Sequence, residues 1–182
     1  MSDISDRYRR LAEGVTRRVD AVPADRWDDE SPCQGWSARD VLQHLLDSHR
    51  DMPAKVGLTV PADVSVATDP AAAWAQAREA LQAILDDPEQ ASREYDGYFG
   101  RTSLERTLDA FLGLDLIVHA WDIARATGGD TELVPEDVDR ALEDSRGWGD
   151  TIRMEGVCGP AVEVADDARP QDRLLAFLGR TP

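Results

Sequence analysis

The sequence predicts an all-α fold, a bundle of four long helices followed by smaller ones. Three observations carry this prediction. Four long segments repeat apolar residues at three- and four-residue steps, the period of a helix face. Proline, glycine and capping residues punctuate those segments at their ends. No internal repeat, low-complexity tract or Gly-Ser linker divides the chain, so residues 1–182 are expected to form a single domain of ordinary size.

The first helix is expected over about Ile4 to Val22, with Tyr8, Leu11, Val15 and Val19 on one face, ending near Pro23. The stretch WDDESPCQGW, from Trp27 to Trp36, reads as a loop. Ser37 and Asp40 then form a capping box, which places a second helix over Ala38 to about Met52. Residues 53–69 read as loop, and Pro70 suits the first turn of a third helix, where its missing N–H costs nothing; that helix stops before Pro88.

The connection EQASREYDGYFGRT is polar and contains Gly97 and Gly100. The longest periodic segment opens near Ser103 and ends before Gly128 and Gly129. A fifth, amphipathic helix is expected from Pro135 to about Trp148, and a short terminal one from Pro170 to Leu178. Between them GVCGPAVEVADDA is either irregular or a short strand pair.

Charge narrows the functional classes. With 36 acidic against 20 basic residues the formal charge is -16, which repels phosphate backbones and anionic lipid, so neither nucleic acid nor membrane is an expected partner. No apolar run approaches the roughly 18 to 20 residues of a membrane span, and MSDISDRYRR lacks the apolar stretch of a secretory signal, so a cytoplasmic protein is expected. Cys33 and Cys158 have no CxxC or zinc-finger spacing and are expected to be free thiols. Dinucleotide, P-loop and hydrolase-elbow motifs do not occur.

The chain has three histidines, His44, His49 and His119. Asp115, His119 and Asp122 are spaced i, i+4 and i+7, which puts them within roughly 60 degrees on one helical stripe. Leu108, Phe111 and Leu112 continue that stripe, so a carboxylate and an imidazole are expected to face inward. A buried carboxylate needs a partner, and a divalent metal held by Asp115 and His119 on one helix and His44 on another would satisfy it. Two histidines and a carboxylate suit zinc, nickel, iron or copper and leave a coordination position open. The spacing is equally that of a hydrogen-bonded Asp-His pair on a helix face, with His44 a core-edge imidazole.

His49, about 140 degrees around the helix from His44, is expected at the surface. Asp122 either orients a ligand or pairs with Arg125. Cys33 reads as a small buried residue, with a nucleophile as the alternative. Trp36, Trp74, Trp121 and Trp148 sit in or beside apolar helical faces, so most of them read as core.

Read together, SPCQGWSARDVLQHLLD and LDLIVHAWDIARATG resemble the paired motifs of the DinB-like superfamily, in the branch that includes the metal-binding domain of mycothiol-dependent maleylpyruvate isomerase. GPAVEVADDARPQDRLLAFLGR resembles the tail of a metal-binding protein group within that branch. The resemblance spans nearly the whole chain. It implies a four-helix bundle running up-down-down-up, often dimeric, with short C-terminal helices added here. Its ligand positions fall on His44, Asp115 and His119. It further implies a divalent metal, zinc or nickel, that activates a small-molecule thiol such as mycothiol, as cosubstrate, toward an electrophile in an S-transferase or isomerase reaction. A non-catalytic metal- or ligand-binding bundle is the alternative. Two departures stand out. The isomerase pattern has glutamate where this chain has Asp115, one methylene shorter, so ligation there is direct or through water. The isomerase also carries a further C-terminal domain that this tail does not fully supply, so maleylpyruvate isomerisation itself is not implied.

Overall fold

The computed structural model describes residues 2–154 and 157–182. Helix α1 (Asp3–Ala21) starts where the Ser2 side chain accepts a hydrogen bond from the Ser5 amide at 3.2 Å, with Asp3 and Asp6 in the positive first turn. Helix α2 (Ala38–Ala54) opens on the expected capping box: the Ser37 hydroxyl accepts from the Asp40 amide and the Asp40 carboxylate accepts from the Ser37 amide. It runs one turn step past the expected end at Met52. Pro53 forfeits only the bond to the His49 carbonyl, and its ring is buried in return. Helix α3 (Pro70–Asp86) is capped by Asp69, which accepts from the Ala72 amide.

The connection after α3 is more ordered than its polarity suggests. Asp87 caps a single turn, α4 (Pro88–Ala91), and β1 (Glu94–Gly97) pairs antiparallel with β2 (Gly100–Ser103). Tyr98 and Phe99 form the two-residue tip, and Gly100 takes φ 104, a conformation costly for any side chain. Helix α5 (Leu104–Thr107) continues through a π-helical stretch, Leu108–Leu112, into α6 (Gly113–Thr127). The π turn rotates what precedes it relative to α6, so the stripe expected to run straight from Leu108 is split: Leu108 and Leu112 enter the core, while Phe111 is only half-buried.

Helices α1 and α2 each pack against both α3 and α6, which makes the four-helix core. Ser5 near the start of α1 meets Asp86 at the end of α3, and Thr16 accepts from Trp74 near the start of α3, so these two run antiparallel. Arg7 pairs with Asp109 near the start of the α6 rod and Arg18 reaches the Asp130 carbonyl beyond its end, so α1 and that rod run parallel. Leu42, Leu45, Trp74, Leu81, Leu116 and Ile123 are fully buried between them. Each of these large side chains contributes on the order of 2 kcal/mol by leaving water.

Helix α7 (Pro135–Gly147) packs on α6 and on α8 (Pro170–Phe177), one residue short of each expected end. Of GVCGPAVEVADDA, Gly156 lies outside the described residues; the rest is irregular, held by the Val162 amide on the Ala176 carbonyl. Helix α8 closes with a Schellman turn: the Arg180 amide reaches the Leu175 carbonyl and the Gly179 amide the Ala176 carbonyl, with Gly179 at φ 84. A Cβ at Gly179 would lie 3.1 Å from the Pro160 carbonyl, so only glycine lets the tail pass here and aim Arg180 back at the bundle. No helix among the described residues is long and apolar enough to cross a membrane.

Candidate functional site

The candidate residues converge at one end of a cavity of about 1320 Å3. Helix α2 supplies His44; α6 supplies Asp115 and, one turn on, His119. His44 Nε2 lies 3.5 Å from Asp115 Oδ2, and the two imidazole rings stand edge to face with centroids 5.0 Å apart. One ligand-capable atom from each of the three lies within 4.8 Å of the others. The tertiary fold therefore brings together all three residues picked out from the sequence. The hydrogen bond with Asp115 raises the basicity of His44, against the opposing effect of burial.

His119 is held from behind. Its Nδ1 donates to Asp122 Oδ2 at 2.9 Å, and an ionised carboxylate only accepts, so the ring proton sits on Nδ1 and Nε2 keeps its lone pair. Asp122 is fully buried and is satisfied on several sides: Arg180 Nη2 donates at 2.9 Å and the Cys33 thiol at 3.3 Å. Burial pushes the Asp122 carboxyl up, but the hydrogen bond from His119, with the neighbouring Arg180 charge and its hydrogen bond, outweighs it and holds it below the usual carboxylate range. Arg125, the alternative partner expected for Asp122, has no part in this cluster.

A second trio, Cys33, His119 and Asp122, also lies within ligand distance. Burial, with the Asp122 charge beside it, pushes the Cys33 thiol up to about 12, so near neutral pH it stays protonated and donates to Asp122. Asp122 has its lone pairs committed to donors. The donor set with free capacity is His44, Asp115 and His119, and it is chemically suited to a divalent cation: two imidazoles, one carboxylate, and a carboxylate orienting one imidazole from outside.

Two expectations about neighbouring residues are corrected. His49 is not at the surface. It is fully buried, its Nδ1 donating to the Leu45 carbonyl at 2.6 Å and its Nε2 accepting from the Tyr8 hydroxyl at 2.9 Å, with the Trp74 ring 5.1 Å away. The angular argument that separates it from His44 is sound, but the opposite side of α2 faces α3 and, through Tyr8, reaches across the bundle to α1, not solvent. Trp36 is not core. It is 36% exposed, its ring 5.3 Å from His44 and 6.5 Å from His119, and it forms a wall of the cavity. Trp148 is likewise half-buried on the cavity lining, whereas Trp74 and Trp121 are core as expected.

Arg180 was not singled out from the sequence. Its signal was the Leu-Gly-Arg ending of the last helix, which marks a turn but does not say what the arginine meets 58 residues back along the chain.

Two uncharacterized proteins of Mycobacterium tuberculosis, from strains CDC 1551 / Oshkosh and ATCC 25618 / H37Rv, are each 28% identical to this chain over 184 residues, covering 96% of it and 96% of their own length. No solved structure matches the chain. Residues 8–124, which carry α1, α2, α3 and most of α6 with His44, Asp115 and His119, match the mycothiol maleylpyruvate isomerase N-terminal domain, and the chain belongs to that family within the DinB-like bundles.

Proposed function

We propose that this protein binds one divalent cation, zinc or nickel, through His44, Asp115 and His119, and acts as a thiol-dependent transferase or isomerase. The observation that carries this reading is the approach of three donors from two helices at the end of a large cavity, with His119 oriented by Asp122. A divalent cation held there would supply Lewis acidity that lowers the pKa of a low-molecular-weight thiol, and mycothiol is the thiol in the family's description.

The chain's own residues have separate tasks. Asp122 keeps the proton of His119 on Nδ1, so Nε2 is available as a ligand. Arg180 neutralises Asp122, which otherwise carries an uncompensated buried charge. Trp36 covers the imidazoles from one side and limits water there. The acceptor is an electrophile that enters from the remaining cavity.

Elemental analysis of the untagged full chain tests the cation site. About one equivalent of zinc or nickel is expected in the native protein, lost in His44→Ala and in His119→Ala. Unchanged metal content in the double variant would sink the assignment. Stoichiometric metal without thiol-dependent turnover across a panel of electrophiles would instead select a non-catalytic metal-binding bundle.

A further inference from the structure

Away from the histidines the cavity changes character. Phe111, beside the π turn, and Trp148, just past α7, lie with ring centroids 4.9 Å apart on its wall, and Phe99 from the hairpin tip stacks on Phe111 at 6.3 Å with planes 2° apart. Tyr98 stands edge-on to Phe99, and its hydroxyl meets the Met154 sulfur at 3.4 Å, so the hairpin tip arches across to the far wall. Yet Tyr98 is 74% and Phe99 63% exposed. A cluster of aromatic rings this incompletely covered contributes little to folding, and its open faces and edges suit a ring from outside.

The charges around the cavity restrict what that ring can carry. Among the described residues, the cations lining the cavity besides the histidines are Lys55, Arg153 and Arg180. Arg153 donates to the Gly159 and Phe177 carbonyls at 2.5 and 2.6 Å and lies over the Phe177 ring. Arg180 is committed to Asp122, Cys33 and the Leu178 carbonyl. Lys55 stands exposed at the rim. Asp96 and Asp115 line the same space, on a chain of net charge -16. A carboxylate or phosphate entering would lose water and meet only the solvated Lys55 ammonium, against the field of an acidic chain.

We infer that this half of the cavity is a binding site for a planar, uncharged aromatic group, laid against Phe111 and Trp148 beneath the hairpin tip. In the proposed reaction that group is the body of the electrophile; this assignment rests on the thiol-dependent reading, whereas the binding itself does not.

Fluorescence titration of the full chain with uncharged N-phenyl-naphthylamine, beside its sulfonated analogue, tests the site. Saturable binding of the uncharged probe is expected, with the sulfonated one about tenfold weaker. Phe111→Leu and Trp148→Leu keep apolar bulk but remove a ring, and each is expected to weaken binding about tenfold, with Trp148→Phe restoring most of it. Tyr98→Ala, at an exposed position the fold does not need, provides the same test should a leucine variant fail to fold; about threefold weaker binding is expected. No binding by the native protein, equal binding of the two probes, or binding unaffected by the ring-removing variants would each overturn the inference. The double variant His44→Ala, His119→Ala should bind the probe as the native protein does. Failure of the cation reading therefore shows as absent metal with probe binding intact, and failure of the aromatic site as metal present with binding indifferent to the rings.

Discussion

His44 and His49 sit five residues apart on one helix and live in opposite chemical worlds. His44 faces a cavity, half-buried beside Asp115 and Trp36, and the hydrogen bond with Asp115 raises its basicity. His49 faces the bundle axis, wholly buried, donating to a carbonyl and accepting from a hydroxyl; burial depresses its pKa to about 4. One imidazole meets a carboxylate at the cavity wall, and the other has both nitrogens committed, one to Leu45 of its own helix and one to Tyr8 of α1. Sequence position does not distinguish them. What distinguishes them is which helices pack on each side of α2.

The largest effect that separates the two concerns stability. His49→Ala removes a buried ring and leaves the Tyr8 hydroxyl only the Arg78 carbonyl at 3.4 Å, and should cost about 3 kcal/mol in urea unfolding while leaving metal content intact. His44→Ala should cost under about 1 kcal/mol and abolish metal binding. Equal destabilisation by the two would erase the contrast.

Acid should reveal the buried histidine next. The folded-state pKa of His49, about 4, lies below its ordinary 6.5, so the unfolded chain takes up the proton first. Its contribution is fully present above about pH 6.5, falls as the pH drops, and is gone below about pH 4, a loss on the order of 3 kcal/mol. Urea midpoints measured from pH 7 to 4 should fall less steeply in a His49→Gln variant; parallel slopes would place the acid sensitivity elsewhere.

A smaller effect lies behind His119. Asp122→Asn removes the charge that holds the ring proton on Nδ1, and should weaken zinc binding about 10- to 100-fold in a competition titration with a chelator, without shifting the His49 acid transition. Unchanged affinity would mean that Asp122 serves only Arg180 and Cys33.

Helix starts were readable because their signals are local: Ser37 with Asp40 satisfies amides within three residues, and Pro70 fits a first turn that needs no N–H from it. Asp115 and His119 were readable as a pair because one helical turn joins them. The hairpin from Glu94 to Ser103 was missed because its segments are short and polar, and a two-strand ribbon buries too little to leave a clear alternation. The π turn was missed because nothing in Leu108–Leu112 departs from an ordinary apolar helix; its shift is imposed by packing.

The sequence by itself determined the all-α class, the extent of most helices within one or two residues, and the shared face of Asp115 and His119, since backbone propensity, capping and helical period act over a few residues. It offered His44 as their companion from the scarcity of histidines and from family resemblance, without fixing the distance between the two helices. The tertiary structure alone decided that His49 is buried, that Trp36 and Trp148 line a cavity rather than fill the core, and that Arg180 reaches Asp122. Each of these depends on contacts between segments tens of residues apart, and burial belongs to the assembled bundle, not to any one helix.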